Sequence, residues 1–227
     1  MIASIAKSEW VWWKPAINQT SNFKLRSGAG EDFVYGQGGD DLIIQNGSGT
    51  QYYDGGEGID TLQVDTSFVT ELNPDYPNTI SINLVDGDMG QTNNPNLRDT
   101  ITNIENVTFI GDFDVKITGD NENNFLKSDS GNDELYGGDG NDVLSPGRGN
   151  DFVYGEEGDD VLVLTSGGTQ HFDGGDGIDK FEIYLPDWKT APEGFVGGVD
   201  LNLGFAGSAT DPDNPLNDSL TNIENVT

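Results

Sequence analysis

Apolar residues recur at an interval of nine positions between Ser128 and Val163, separated by glycine and short polar residues. In words of nine, this segment reads SDSGNDELY, GGDGNDVLS, PGRGNDFVY and GEEGDDVLV. An earlier stretch over residues 27–63 repeats the pattern in the words SGAGEDFVY, GQGGDDLII, NGSGTQYYD and GGEGIDTLQ. The eighth position of each word is apolar, as in Leu135, Leu144, Val153 and Leu162. A period of nine fits neither the 3.6 of a helix nor a pair of strands joined by an ordinary hairpin loop.

This period predicts very short strands that alternate with tight turns. Six of the nine positions are glycine or short polar residues, which favour turns, and the other three include one inward apolar side chain. Two words then make one coil of about eighteen residues, and each strand pairs in parallel with the strand one coil later at about 4.8 Å. We therefore predict an all-β protein that folds as a parallel β-roll, a form of β-solenoid.

Acidic side chains follow the same period. The sixth position of most words is aspartate, at Asp32, Asp41, Asp60, Asp133, Asp142, Asp151, Asp160 and Asp179. In a coil these carboxylates stack along the edges, where like charges so close repel each other. Carboxylate and carbonyl oxygens are hard ligands, and the pattern contains neither His nor Cys, so the stack favours Ca²⁺ over a transition metal.

The words GGDGNDVLS and GGEGIDTLQ resemble the glycine-rich nonapeptide of the RTX (repeats-in-toxin) family. This resemblance implies a right-handed β-roll built from GGxGxDxUx, with Ca²⁺ between loops two words apart on one edge. In that family the position-six carboxylates and the carbonyls of positions one to four hold the ion. Carried over, the resemblance implies four ion-binding pairs: Asp41 with Asp60, Asp133 with Asp151, Asp142 with Asp160, and Asp160 with Asp179. It also implies a role for Gly36, Gly39, Gly55, Gly58, Gly131, Gly137, Gly138, Gly140, Gly149, Gly155, Gly158, Gly175 and Gly177.

Three pairings depart from the pattern, and we expect the corresponding sites to be weak or empty. In each, an amide is expected to face an aspartate: Gln51 opposite Asp32, Gln170 opposite Asp151, and Asn123 opposite Asp142.

A longer repeat of 119 residues contains the short one, because TNIENVT occurs over residues 102–108 and again over 221–227. We expect five segments: an N-terminal cap or linker with a Trp cluster (1–26), a nonapeptide block (27–63), a β spacer (64–117), a second block (118–182) and a truncated second spacer (183–227). Strands are predicted near residues 79–84, 100–107 and 115–117, continuing the coil with longer, metal-free loops. We expect the chain to be part of a longer tandem array, stabilised by neighbouring repeats.

The net charge is −30, from 40 acidic and 10 basic residues, and there is no cysteine. This balance argues against nucleic-acid binding and against anionic membrane surfaces, and no stretch is apolar enough to cross a membrane. With 33% hydrophobic residues, the chain should be expanded by self-repulsion when cations are absent.

The sequence thus indicates a non-enzymatic Ca²⁺-binding segment of a secreted or cell-surface RTX-type protein, which folds and stiffens on binding extracellular Ca²⁺. A single histidine, His171, leaves no Ser/His/Asp triad to assemble. Two alternatives stay open. One is an adhesin repeat or polysaccharide-binding module, in which Trp10, Trp12 and Trp13 form a sugar platform rather than a cap. The other is the tail of a secreted hydrolase whose catalytic domain lies outside this chain.

Overall fold

The computed structural model describes residues 2–4, 21–46, 49–67, 79–91, 98–165, 168–184 and 219–226. Within these ranges the protein contains twenty β-strands and no helix, so no described helix could span a membrane. The strands form two ten-stranded sheets that face each other across the interior. The predicted all-β, parallel β-solenoid is confirmed.

Sheet 1 contains, in spatial order, β1 (Ile2–Ser4), β2 (Lys24–Arg26), β4 (Leu42–Gln45), β6 (Thr61–Asp65), β10 (Asn106–Ile110), β12 (Phe125–Lys127), β14 (Val143–Ser145), β16 (Val161–Leu164), β18 (Lys180–Ile183) and β20 (Asn225–Val226). Sheet 2 contains β3 (Phe33–Gly38), β5 (Tyr52–Glu57), β9 (Arg98–Thr102), β8 (Asp88–Gln91), β7 (Ile80–Asn83), β11 (Val115–Thr118), β13 (Glu134–Asp139), β15 (Phe152–Glu157), β17 (His171–Asp176) and β19 (Ser219–Thr221).

Each nonapeptide supplies one strand, and successive words alternate between the sheets. In sheet 1, Leu144 pairs with Leu126 before it and with Leu162 after it, an interval of 18 residues. In sheet 2, Val153 pairs with Phe172 at an interval of 19. The coil therefore has the two-word length that the period predicts.

The position-eight side chains point inward and stack as predicted. Leu135, Leu144, Val153 and Leu162 are all fully buried, and they belong to one continuous core that also includes Tyr53, Phe109, Phe172 and Phe181. Since the coil is only two strands thick, one or two apolar residues per strand, such as Val107 and Phe109 in β10, are sufficient to fill its centre.

The first spacer departs from the prediction of a simple continued coil. Strands β7 and β8 form an antiparallel hairpin that lies in sheet 2 between β9 and β11, whereas β10 and β12 remain neighbours in sheet 1. The turn at residues 84–87 leads directly into β8, and Gly87 within it has a φ of 66°. Two extra strands widen sheet 2 by about 10 Å locally. A cleft lined by Leu84, Ile104 and Asn121 lies at this position.

Strands β7 and β11 lie near their expected positions, with Ile82 fully buried. The strand predicted near residues 100–107 is instead two strands, β9 and β10, which lie in opposite sheets because the chain turns at Asn103, where φ is 50°. Strand β2 is a further rung ahead of the first block, with Leu25 paired to Ile43. The tryptophan cluster and most of the second spacer lie outside the described residues.

Candidate metal centre

The position-six side chains stack in two ladders, one along each edge of the coil. Ladder 1 precedes the strands of sheet 1, and ladder 2 precedes those of sheet 2. In ladder 1 the Asp142 N–H donates to Asp160 Oδ1 at 2.8 Å, and the Asp160 N–H donates to Asp179 Oδ1 at 2.8 Å. Asp41 and Asp60 form the same contact at 2.7 Å. In ladder 2 the Asp133 N–H donates to Asp151 Oδ1 at 2.9 Å, so all four predicted pairs come together.

The second oxygen of these carboxylates is buried without a hydrogen-bond donor among the described residues. This holds for Oδ2 of Asp41, Asp60, Asp133, Asp142, Asp151, Asp160 and Asp179, and each of these residues is at most 2% exposed. An ionised oxygen in such a position is costly unless a positive charge or a donor accompanies it. Among the predicted aspartates, Asp32 differs, because its Oδ2 accepts the Gly28 N–H at 2.9 Å.

The cost is visible in the acid–base properties of the ladder. Burial raises the pKa of Asp142 and Asp151 to about 7, and the adjacent carboxylates of Asp160 and Asp133 add to the increase. Burial also raises the pKa of Asp41, Asp133 and Asp160 to about 6. The backbone N–H bonds to Oδ1 lower these pKa values but do not offset the burial.

In ladder 1, glycine at position one leaves room beside the second oxygen of each aspartate, whereas the words of Asp133 and Asp151 in ladder 2 have Ser128 and Pro146 at that position. A Cβ on Gly137 would collide with Asp142 Oδ2 and with the carbonyl oxygen of Gly155, one coil later. Gly36 lies in the same way beside Asp41 Oδ2 and the Gly55 carbonyl. Each of these rungs of ladder 1 therefore places a buried carboxylate oxygen and a backbone carbonyl oxygen around one small space.

The predicted glycines fall into three positions of the word. Position one holds Gly36, Gly55, Gly137 and Gly155, position two holds Gly138 and Gly175, and position four holds Gly39, Gly58, Gly131, Gly140, Gly149, Gly158 and Gly177. Gly174, which the sequence analysis missed, is the position-one glycine beside Asp179 Oδ2.

This donor set suits a hard cation. No group of three or more His, Cys, Asp or Glu side chains occurs in the described ranges, so the carboxylates meet in pairs and carbonyls must complete a coordination shell. Ca²⁺ accepts such a mixture of carboxylate and carbonyl oxygens, whereas transition metals favour nitrogen and sulfur.

The RTX calcium-binding nonapeptide repeat family matches residues 24–44, 118–153 and 147–170, in four copies. The chain contains RTX calcium-binding nonapeptide repeats. These repeats bind Ca²⁺, and a β-solenoid of this kind is a structural calcium-binding module. No curated protein matches the chain.

Amide side chains interrupt both ladders of RTX repeats. Gln51 Oε1 accepts the Asp32 N–H at 3.0 Å, as an aspartate Oδ1 does, while its Nε2 donates to the Gly30 carbonyl at 2.7 Å. Gln170 Nε2 donates to the Gly147 carbonyl at 3.1 Å. The side-chain amides of Gln51 and Gln170 thus donate hydrogen bonds to backbone carbonyls that lie beside the ladder.

The prediction that Asn123 faces Asp142 is wrong by one residue. Asn124 occupies position six of that word, and its N–H donates to Asp142 Oδ1 at 2.7 Å. Asn123 is exposed at position five, where its Oδ1 accepts the Asn141 N–H at 2.8 Å. The word over residues 119–127 lacks the position-four glycine, which removed the marker needed to place it in register.

Two features of the RTX ladders were missed at the sequence level. Position-five side chains form their own exposed ladder, in which Asn132 Oδ1 accepts the Asn150 N–H at 3.0 Å. Two spacer carboxylates also continue the position-six ladders. Asp99 Oδ1 accepts the Gln51 N–H at 2.8 Å, and Glu105 Oε2 accepts the Asp60 N–H at 2.7 Å. Both carboxylates recur in the 119-residue repeat. The nonapeptide register could not place them in the ladders, because the spacer does not keep the nine-residue period.

Proposed function

We propose that this chain is a calcium-dependent β-roll segment of a secreted or cell-surface protein, which folds and stiffens when it meets extracellular Ca²⁺. The named ion sites are Asp41 with Asp60, Asp133 with Asp151, Asp142 with Asp160, and Asp160 with Asp179. Each pair would hold the ion together with backbone carbonyls of word positions one to four.

The observation that carries the proposal is the set of seven buried carboxylate oxygens without a donor. A structure cannot keep so many ionised oxygens in its interior at neutral pH unless cations neutralise them. Ion binding then becomes part of the folding free energy, because the unfolded chain has no preformed site. The net charge of −30 acts in the same direction, since it opposes compaction until cations bind.

This coupling would suit a protein that is exported before it folds. Where Ca²⁺ is scarce the acidic chain would remain extended, and where Ca²⁺ is abundant it would form the roll. The same coupling supports an extracellular or surface location, where weak calcium sites are occupied.

The experiment is a calcium titration of the EDTA-treated chain, followed by circular dichroism. We expect a cooperative gain of strand signal with Ca²⁺ and none with an equal concentration of Mg²⁺, which requires smaller octahedral sites. An unchanged strand signal between excess EDTA and saturating Ca²⁺ would contradict the proposal.

A second candidate function is glycan binding, because aromatic rings repeat on the outer side of sheet 2. Phe33 and Tyr35 are about half exposed, at 54% and 51%, and Phe152 at the 119-residue offset is 48% exposed. Tyr154 stacks on Tyr136 with ring centroids 4.9 Å apart. Flat exposed rings beside carboxylates such as Glu134 would favour a neutral polysaccharide over an acidic one.

Affinity electrophoresis in a neutral polysaccharide gel tests this candidate. Tyr35→Ala and Tyr154→Ala should each abolish the retardation of the calcium-loaded chain by the polysaccharide. Phe125→Ala removes an exposed ring from sheet 1 and should leave it unchanged. Equal migration of all variants with and without polysaccharide would exclude this use of the surface.

A further inference from the structure

Each nonapeptide block ends on an aspartate whose next partner in ladder 1 is a spacer glutamate. The Asp60 N–H donates to Glu105 Oε2 at 2.7 Å, and the Asp179 N–H donates to Glu224 Oε2 at 2.7 Å. Glu105 therefore makes the contact to Asp60 that Asp60 makes to Asp41. The two junctions lie 119 residues apart and have the same geometry, and both pairs lie outside the residues that the RTX family matches.

An unsatisfied oxygen faces each junction. Asp60 and Asp179 are both 0% exposed, and neither Oδ2 has a hydrogen-bond donor among the described residues. A Cβ on Gly55 would collide with Asp60 Oδ2 and with the carbonyl oxygen of Asn103. A Cβ on Gly174 would collide with Asp179 Oδ2 and with the carbonyl of Asn222. The orphaned oxygen and the spacer carbonyl thus border the same space.

Asn103 and Asn222 reproduce the turn that glycine makes in a nonapeptide. Both have a φ of 50°, in the left-handed region that asparagine tolerates better than most residues. Each side chain is anchored one coil earlier, as Asn103 Nδ2 donates to Asp54 Oδ1 at 2.7 Å and Asn222 Nδ2 donates to Asp173 Oδ1 at 2.6 Å. These bonds hold the Asn103 and Asn222 carbonyls next to the aspartates.

In other irregular rungs of the ladders, a side-chain amide donates to a backbone carbonyl. At the junction, the side chains of Asp60 and Glu105 offer only hydrogen-bond acceptors. Asn124 Nδ2 donates to the Glu105 carbonyl at 2.8 Å, and Gln51 Nε2 donates to the Gly30 carbonyl. At the junction, Asp60 and Glu105 bring two carboxylates together, and like charges this close repel each other. A cation is the group that this arrangement of oxygens lacks.

We propose that a calcium ion binds at each junction, one held by Asp60, Glu105 and the Asn103 carbonyl, and one by Asp179, Glu224 and the Asn222 carbonyl. This inference rests on the proposed calcium-dependent function but extends it beyond the nonapeptides. The spacer, expected to be metal-free, would then share an ion with the end of each block and transmit calcium-dependent stiffness from one block to the next.

The experiment counts calcium ions per chain by native mass spectrometry, with equilibrium dialysis as an independent measurement. Compared with the unaltered chain, Glu105→Gln and Glu224→Gln should each bind one ion fewer, and the double variant should bind two fewer. Glutamine is already tolerated in ladder 2, so the substitution suits the fold. Glu122→Gln is the matched control, because Glu122 is exposed on the neighbouring loop. This substitution removes the same charge without changing a side chain of the ladder.

Unchanged stoichiometry in E105Q and E224Q would overturn the junction sites while leaving the nonapeptide sites intact. An unaltered chain that binds no calcium would instead overturn the proposed function itself. Should E105Q fail to fold, E224Q still decides the matter, because β19 and β20 are the last strands of both sheets and the preceding rungs do not depend on them. The circular dichroism of each variant in saturating Ca²⁺ checks this point.

Discussion

Acidification is expected to have opposite effects on the stability of this fold, depending on whether calcium is bound in the ladders. Without calcium, the fold should be unstable near pH 7.5 and should regain strand structure as the pH falls to about 5. With calcium bound, the same acidification should weaken the fold, because protons compete with the ion for the carboxylates.

The sign follows from the direction of the pKa shifts. The pKa values of Asp142 and Asp151 rise from 3.8 to about 7, so the calcium-free fold binds protons more tightly than the unfolded chain does. The stability that these two protonated residues contribute to the calcium-free fold is therefore fully present below about pH 4, and it is lost as the pH rises through 6 to 7. One pKa unit corresponds to about 1.36 kcal/mol, so ionising each residue in the fold costs about 4 kcal/mol.

Those two residues together would cost about 8 kcal/mol, which is comparable with the whole stability of a typical domain, about 5–15 kcal/mol. Asp41, Asp133 and Asp160, with pKa values near 6, would add to the cost. The calcium-free fold is therefore not expected to survive at neutral pH.

The assay is circular dichroism from about pH 7.5 to about pH 5, in EDTA and in saturating calcium, with light scattering to detect aggregation. The expected result is a strand signal that increases on acidification in EDTA and a calcium midpoint that moves to higher concentration at the lower pH. A calcium-free strand signal that is constant, or that increases with pH, would refute the reasoning.

Three further predictions concern single rungs. Gln51→Asp should add one calcium ion per chain in native mass spectrometry, because it restores a carboxylate opposite Asp32, whereas Gln51→Asn should add none. Glu156→Gly should stabilise the calcium-loaded chain by about 1 kcal/mol, seen as a higher melting temperature. The reason is that Glu156 has a φ of 78°, which costs a residue with a side chain about 1–2 kcal/mol and glycine less. The control Glu157→Gly, at a residue without positive φ, should not stabilise the chain. Leu144→Ala should cost about 2–5 kcal/mol and raise the calcium concentration at the folding midpoint, since Leu144 is fully buried and its removal leaves a cavity; an unchanged midpoint would separate folding from calcium binding.

The register of the nonapeptides could be predicted because most words carry their own markers. A glycine at position four, an acid at position six and an apolar residue at position eight are local signals, and parallel stacking at a two-word interval follows from their spacing alone. This is why Leu144 was expected to stack with Leu162 one coil later, and why the members of the four predicted aspartate pairs lie next to each other.

Register was lost wherever those markers were missing. Asn124 was displaced by one position in the prediction because its word has Glu122 where glycine belongs. The spacer contains strands that alternate apolar residues as any strand does, so its pattern could not distinguish a continued coil from the β7–β8 hairpin. The direction of a strand is decided by what it packs beside.

The amino-acid sequence by itself determined the repeating element, its length and the acidic residues that line the coil, because each of these depends on residues only a few positions apart. Only the tertiary structure decided what happens to the second oxygen of each aspartate, the role of the amides at Gln51 and Asn124, and the meeting of Asp60 with Glu105. Those outcomes depend on which backbone N–H and carbonyl groups lie one coil away, and 45 residues of chain separate Asp60 from its partner. Contacts across such a distance arise from the packing of whole coils, which no short stretch of sequence encodes.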